Sequence, residues 1–511
     1  MAFFFGFTGL ALADPQPMQV LLSEVGLVLD PDAVRYRLSS DVKIPEPDPD
    51  TPVIGPKDHT PEARMLRQWV ARGQASGLTG VFYDNRDRGH SPLPADLFPQ
   101  IVRVVYAPDL VARNLDLGLP EGILFPGIVI GNSSTAVTLG PEPRSLPRLA
   151  MTRRENALRA WQTYASNHLY IFPEHRDHDA QDLFPANWPY MLTSQGSSYT
   201  DQPFLRAFGL IIAALRPDTL SFLLERGLVA PTVQMVFRRA QAGVRSRADY
   251  LSGKAHPSVF EATAIAPVAM IALANSLQPQ DVPPLVLLQV ITEDFSPQAG
   301  LAKQSEELFT TPSAIARIAR SFAYTHSITM SAAATIDPNG RPLTFSWVLL
   351  RGDPAKVRIT PLDDVGRSAR IEVDWQEPRQ IGARDQRTSA RVDVGIFANN
   401  GLYDSAPAFV SVSFPNVQRR QYEPGPGGLM RIKAVDYRGQ TGWPVDPALH
   451  WIAPWSDSFI YDTRGQMSGW TRQESGKLTA FDAAGRYQGR RVAYFPQDGQ
   501  LEAAIGPRLG N

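Results

Sequence analysis

The chain has 511 residues, too many for one hydrophobic core, so two to four domains are expected. It is 43% apolar, carries a formal net charge of −1 with no basic run, and has no cysteine. Those figures exclude wholesale disorder, the electrostatic footprint of a nucleic-acid binder, disulfide staples, cysteine nucleophiles, Cys-ligated zinc and iron–sulfur clusters. The 45 prolines, about twice the usual share, predict many loops and short elements.

Ala2 to Ala13 is apolar except for Thr8 and ends in Ala11-Leu12-Ala13, an A-x-A cleavage pattern followed by Asp14-Pro15. As a helix this stretch would span only ~18 Å, short of a ~30 Å bilayer. Residues 1–13 are therefore expected to be a signal peptide. The protein is expected to be exported from a bacterial cell to the periplasm or the medium, a setting that the lack of cysteine suits. No other stretch reads as a membrane span.

Residues 14–60 are rich in proline and acid, with Pro45-Glu46-Pro47-Asp48-Pro49-Asp50 at their middle, and read as an extended arm or linker. Thr60 and Pro61 then open a helix to about Arg72. The main domain, residues 61–320, begins with strand-like runs at Val81–Tyr83, Ile101–Tyr106, Ile123–Ile130 and His168–Phe172. Helices are predicted at about 152–166, 202–226, 231–250, 258–277 and 312–323. Strands followed by helices imply a mixed α/β or helix-rich α+β domain.

From Phe322 the hydrophobic period becomes two, with short runs separated by turns at Asp337-Pro338-Asn339-Gly340 and Asn399-Asn400-Gly401. Residues 322–416 are expected to form an all-β sandwich with Trp347 on a central strand. The stretch Asp337-Pro338-Asn339-Gly340-Arg341-Pro342-Leu343-Thr344-Phe345-Ser346-Trp347 resembles a hairpin of PKD-like and related bacterial immunoglobulin-like domains. The resemblance covers about 90 residues and lacks the Asp-Phe-Gly-Asp-Gly segment of typical PKD domains. It implies an accessory module of the kind common in secreted carbohydrate-active enzymes and proteases, and no chemistry of its own. In the tail, residues 417–511, Tyr461-Asp462-Thr463-Arg464-Gly465 is echoed by Phe481-Asp482-Ala483-Ala484-Gly485. This resembles two YD-type hairpin repeats, too few for a shell, so a small β-meander is expected. The fold class expected for the whole chain is multidomain α+β.

Three of the eight histidines fall in one eleven-residue stretch: His168, His175 and His178, with Glu174 and Asp177 among them and Asp179 next. Imidazoles and carboxylates are the commonest general acids and bases and also suit a divalent metal such as Zn, Mn or Ca. His175 and His178 are the candidate acid or base, Glu174, Asp177 and Asp87 the partner carboxylates, and His168, His175 and His178 the candidate metal ligands. A solvated loop of mixed charge would show the same residues.

A second polar cluster, Asp84-Asn85-Arg86-Asp87-Arg88-Gly89-His90-Ser91, follows the strand at 81–83, where α/β folds place their sites. Asp84 and Arg86 are candidate substrate contacts and His90 a candidate proton carrier, although an Asx turn accounts for Asp84-Asn85 and Gly89 equally well. Ser197 and Ser198, in a turn before a helix, could bind an oxyanion or act as nucleophiles, or simply cap the helix. Tyr170 and Trp188 could stack on sugar rings or pack in the core.

The leading reading is a secreted hydrolase or lyase acting on a polymer, with polysaccharide the best match, no nucleic-acid partner and no membrane span. The alternatives are a serine esterase using the Ser194–Ser198 turn, and a non-catalytic glycan-binding or surface-assembly protein. Convergence of the 168–179 and 84–90 segments in one cleft would separate catalysis from binding.

Overall fold

The computed structural model describes residues 17–30, 35–118, 122–133, 136–137, 144–174, 184–382, 385–439 and 451–508. The expected signal peptide, and His175, Asp177, His178 and Asp179, lie outside the described residues.

The first domain is built on a six-stranded parallel sheet. Its strands are β1 (Gln19–Leu22), β2 (Val81–Asn85), β3 (Val102–Tyr106), β4 (Ile128–Asn132), β5 (His168–Pro173) and β6 (Met191–Ser194), in the spatial order β1-β3-β2-β4-β5-β6. β4 and β5 are buried along their whole length, which is why their sequences run apolar instead of alternating. The chain leaves β2 toward β3 on one side and later places β4 on the other, so the direction of winding reverses between β2 and β4.

Among the described residues, the helices of ten or more residues in this domain are α1 (Pro61–Ala71), α2 (Arg154–Ala165), α3 (Gln202–Ala214), α4 (Pro217–Arg226), α5 (Val229–Arg239) and α6 (Pro267–Ser276). α1 starts as predicted, with the Thr60 hydroxyl accepting from the Ala63 N–H and Pro61 in the first turn. The single helix expected over 202–226 is two, bent by 109°, because Pro217 cannot continue the hydrogen-bond ladder. The helix expected over 231–250 stops at Arg239, and only Pro267–Ser276 of 258–277 is α-helical. Among the described residues no single helix is long and apolar enough to cross a membrane.

Part of the arm expected over 14–60 is instead an integral element. β1 pairs with β3 at the edge of the parallel sheet, burying Val20 and Leu22 while Gln19 and Leu21 face outward. Proline composition pointed to a linker, but the four residues ahead of the proline run have the period-two pattern of a half-buried edge strand.

The second domain consists of two sheets around a common core. Its strands are β7 (Gln289–Glu293), β8 (Glu307–Thr311), β9 (Ala314–Ile318), β10 (Thr325–Ser331), β11 (Thr344–Arg351), β12 (Val357–Pro361), β13 (Ser368–Asp374), β14 (Arg391–Asn399) and β15 (Ala408–Ser413). One sheet runs β7-β10-β13-β12 and the other β8-β9-β15-β14-β11. Ile328, Met330, Ile371 and Val373 of the first sheet pack with Val392, Val394, Ile396 and Val410 of the second.

Two expectations are corrected here. The β-domain begins near residue 286, not 322, because β7, β8 and β9 belong to its sheets; the helix expected over 312–323 is strand β9, which pairs with β8 and, in parallel, with β15. Trp347 lies on β11, an edge strand, is half-buried and donates to the Gly366 carbonyl at 2.7 Å. The tryptophan at the centre is Trp375, edge-on to Phe414 at 5.4 Å and covered by the Arg420 guanidinium at 4.5 Å.

The tail forms a five-stranded antiparallel meander (Arg419–Pro424, Met430–Asp436, Trp455–Tyr461, Met467–Glu474, Lys477–Asp482) followed by a three-stranded sheet from Arg486 to Arg508. The twenty-residue echo in the sequence corresponds to two equivalent turns. Asp462 accepts from the N–H groups of Arg464 and Gln466, and Asp482 from those of Ala484 and Arg486, with Gly465 and Gly485 both at positive φ.

The first two domains share packing. Tyr190 Oη and Thr311 Oγ1 are 2.6 Å apart, Tyr250 donates to the Ser405 carbonyl at 2.7 Å, and Arg247 clasps Asp404 through Nε and Nη2 at 2.8 and 2.7 Å. Trp375→Ala should therefore destabilise the protein by about 3–5 kcal/mol in urea denaturation, and Trp347→Ala by clearly less. Equal losses would contradict this placement of the core.

Candidate functional site

The reversal of winding between β2 and β4 marks the place where open parallel sheets leave a crevice beyond their carboxyl ends. Asp84-Asn85-Arg86-Asp87 leaves β2 there, and Asn132-Ser133 leaves β4 beside it, with Asn85 opposite Asn132 in register.

Polar groups occupy both faces of this edge. On one face Asp84, fully buried, accepts from Tyr106 Oη at 2.7 Å and from Tyr170 Oη at 2.6 Å. Arg86 Nη1 is 3.8 Å from the same carboxylate, while its Nε and Nη2 donate to the carbonyls of Gly118 and Leu115 at 2.5 and 2.8 Å. Burial opposes the Arg86 charge, but the surrounding phenols and Asp84 outweigh it and hold the guanidinium protonated above its ordinary range. Burial, with the Asp84 charge beside it, holds both tyrosines well above the ordinary phenol value. Tyr170 reaches Asp84 by lying over Gly131, where a Cβ would stand 2.7 Å from its Cδ1 and closer still to Cε1.

On the other face Asn132 is the hub. Its Nδ2 donates to Asp201 Oδ2 at 2.5 Å and to the Ser91 carbonyl at 3.0 Å, and its Oδ1 accepts from Tyr83 Oη at 2.8 Å. Tyr83 Oη in turn accepts from the Leu93 N–H at 2.8 Å and Asn85 Nδ2 at 3.1 Å, and burial pushes its pKa up to about 12. Asp201 stands at the N-cap of α3 but does not cap it; its side chain turns to Asn132 instead. Burial raises its carboxyl to about 6. The Asn132 hydrogen bond opposes that rise, the Asp87 charge adds to it and His90 works against it. Among the described residues, Asp201 Oδ1 and Ser133 Oγ are buried without a hydrogen-bond partner.

The 85–91 turn is built by Asn85, whose Oδ1 accepts from the N–H groups of Asp87 and Gly89 at 3.0 and 3.1 Å. The Asx turn is real, and it presents Asp87 and His90 together, with Asp87 Oδ2 3.1 Å from His90 Nδ1. Arg88 and Ser91, on either side of Gly89-His90, have φ of +52° and +50°, a left-handed conformation that costs non-glycine residues about 1–3 kcal/mol each. The His90 side chain is 46% exposed. Tyr199 N donates to Ser91 Oγ at 2.9 Å and the Tyr199 ring lies 5.7 Å from that of His90, so the turn is docked on the approach to α3.

The sequence-predicted residues fall into three groups. Asp87 and His90 meet at the carboxyl edge, and Glu174 ends β5 at the same edge, two strands or roughly 10 Å across from β2. Glu174 is buried, its Oε1 accepting from the Gly196 N–H at 2.9 Å. Ser197 and Ser198 are exposed in the turn that leads to α3.

A second group is corrected. Asp84, Arg86 and Tyr170 are buried and bonded to one another in the network under the edge, and Trp188 packs on Tyr190 and Phe309 at 5.6 and 5.7 Å, so none of the four is presented to a substrate. His168 is not at the edge either. It begins β5 opposite Val129, its Nε2 accepts from the Phe125 N–H at 3.4 Å, and burial pushes its pKa down to about 3. The six residues of β5, about 20 Å of strand, separate His168 from the carboxyl edge. Among the described residues no three His, Asp or Glu side chains converge on a metal position. His175, Asp177 and His178 form the third group, outside the described residues.

Asp201 was not singled out from sequence, and Ser91 stood there only as the last residue of the polar stretch after β2. Asp201 precedes Gln202-Pro203 at a helix start, where an aspartate reads as a cap; only its side-chain direction separates the two roles.

No family model matches this chain, and no curated protein matches it. Among solved structures it is similar to a nucleoside hydrolase-related protein of Saccharophagus degradans that is associated with carbohydrate metabolism. That pair is 10% identical, with a TM-score of 0.18, covering 56% of this chain and 71% of that one. It is also similar to the tandem Ig repeats of Dlar, at 10% identity and a TM-score of 0.13, covering 39% of this chain and 97% of that one. At these TM-scores neither likeness bears on fold or function.

Tyr170→Phe should cost about 1–3 kcal/mol in urea denaturation, because it leaves a buried carboxylate short of a donor. Gly131→Ala should cost more, because its Cβ would stand 2.5 Å from the Asp84 backbone carbonyl as well as against the Tyr170 ring. Asp201 gives a pH signature. Its folded pKa of about 6 lies above the ordinary 3.8, so its contribution is fully present below about 4 and lost as pH rises through 6. Wild type should lose roughly 2–3 kcal/mol more than Asp201→Asn between pH 4 and pH 8. Parallel pH profiles would contradict the assignment.

Proposed function

We propose that the chain is a hydrolase of glycosidic bonds in a polysaccharide, with its site at the carboxyl edge between β2 and β4. The observation that carries this reading is the pair of unlike carboxyls there: Asp201, raised to about 6 and holding its proton in mildly acidic solution, and Asp87, paired with the exposed His90. A carboxyl that keeps its proton beside a second carboxyl is the pairing that acid–base hydrolysis of an acetal uses.

In this mechanism Asp201, whose unpartnered Oδ1 is covered in this structure, gives its proton to the leaving oxygen once the 85–91 turn moves aside, as the bond to the anomeric carbon breaks. The Asp87–His90 pair takes a proton from the attacking water as the new bond forms. Asn132 orients the Asp201 carboxyl, and the left-handed residues Arg88 and Ser91 hold the turn that carries the base. His175, Asp177 and His178, in the sequence after β5, remain proposed contributors. Export to the periplasm or medium, where such a polymer would be met, is proposed with it.

A serine esterase reading has one observation in its favour: the His90 ring lies 5.7 Å from Tyr199, the neighbour of Ser198. Loss of activity with an active-serine reagent would favour it over the acid–base reading.

Reducing-end release from a panel of polysaccharides tests the proposal. Asp201→Asn and Asp87→Asn should each lower turnover at least ~100-fold, and the wild-type rate should fall as pH rises above about 6, where Asp201 loses its proton. No release from any polymer, or full activity in both variants, would contradict it.

A further inference from the structure

A cleft of about 340 Å³ lies between the two larger domains, away from the Asp87–Asp201 pair. One wall is the segment Gly253–Val259 of the first domain; the other is the end of β11, the residues after β13 and the start of β14. The walls approach closely at Gly253, where a Cβ would clash with the Leu350 carbonyl. The volume falls in the lower part of the range for small-ligand pockets, ~300–1,000 Å³, and domain junctions are favoured places for them.

The lining chemistry restricts the ligand. Three arginines (351, 379 and 391) face three acids (Asp353, Glu377 and Asp393), so the formal charges cancel. Arg379 Nη2 donates to Asp353 Oδ2 at 2.7 Å. Arg391 Nη2 donates to Asp393 Oδ2 at 2.7 Å and to Ser258 Oγ at 2.5 Å, the latter bond crossing between the domains. An anion would find these two guanidinium groups already engaged by carboxylates, and a cation would find the carboxylates engaged by guanidinium groups. Among the described residues no aromatic ring but that of His256 lines the cleft, so they offer no platform for a nucleobase or a flat apolar ligand.

What the walls do offer is donors and acceptors side by side. A hydroxyl both donates and accepts, and vicinal hydroxyls match adjacent guanidinium and carboxylate groups. Arg391 and Asp393 are buried and bonded to each other, to Phe184 and to Ser411, so they form the floor. We propose that this cleft binds a neutral polyhydroxyl ligand, a short saccharide segment, through Arg379, Asp353 and Glu377 of the β-domain wall. The site is distinct from the proposed hydrolytic edge and does not depend on it. A saccharide held there would touch both domains.

The test is calorimetric titration of the full chain with neutral tetrasaccharides: cellotetraose, xylotetraose, maltotetraose and chitotetraose. Glu377 and Arg379 are exposed, so Glu377→Ala and Arg379→Ala leave the core intact. At least one tetrasaccharide should bind wild type, and each substitution should weaken that binding about tenfold. Asp201→Asn should bind as wild type does, which separates this site from the hydrolytic one. Three results would overturn the inference: no binding of any tetrasaccharide, equal binding in both cleft variants, or displacement of the sugar by inorganic phosphate at equimolar concentration.

Discussion

A carboxylate without exposed surface has to be compensated where it lies, and Asp84 is the group around which the parallel sheet is arranged. Its two phenol donors come from β3 and β5, and the guanidinium beside it from the residue after β2. Removing one partner leaves a buried charge short of compensation, which costs far more than an ordinary surface contact. The network thus fixes three strands at one level and sends the chain out of β2 at a defined angle. Arg86, anchored to the carbonyls of Leu115 and Gly118, ties that exit to the loop after β3.

The exit angle is what brings the second cluster into being. Asn85 folds the next residues into a turn, Asn132 fastens the Ser91 carbonyl to β4, and the same amide holds Asp201. Asp87, His90 and Asp201 therefore converge from two remote stretches of sequence because a buried network beneath them leaves the chain little choice. The network gives no contact to a substrate; its role is to position groups that do.

Much of this was legible in the sequence in outline. The apolar runs of β2, β3 and β5 and the polar stretch after β2 were plain, since buried parallel strands leave continuous hydrophobic signatures. Which polar residues face inward was not. Asp84 and Arg86 look the same in sequence as Asp87 and His90, and only the alternation of sides along the strand end separates network from surface. Asp201 passed for a helix cap. β9 passed for a helix because Ala-Ile-Ala-Arg-Ile suits either state, and its pairing with β15 lies almost a hundred residues away. Trp347 and Trp375 are both tryptophans near strands, and their exchange of roles follows from strand order, which local patterns do not carry.

The central claim is that Asp87 and Asp201 face each other across the edge closely enough for one charge to be felt by the other. The direct measurement is a carbon-13 NMR titration of side-chain-labelled aspartates, with the Asp201 signal assigned by its loss in Asp201→Asn. The account predicts a midpoint at about 6 that moves down in Asp87→Asn, when the neighbouring negative charge is removed. A midpoint near 4, or one indifferent to Asp87, would contradict it.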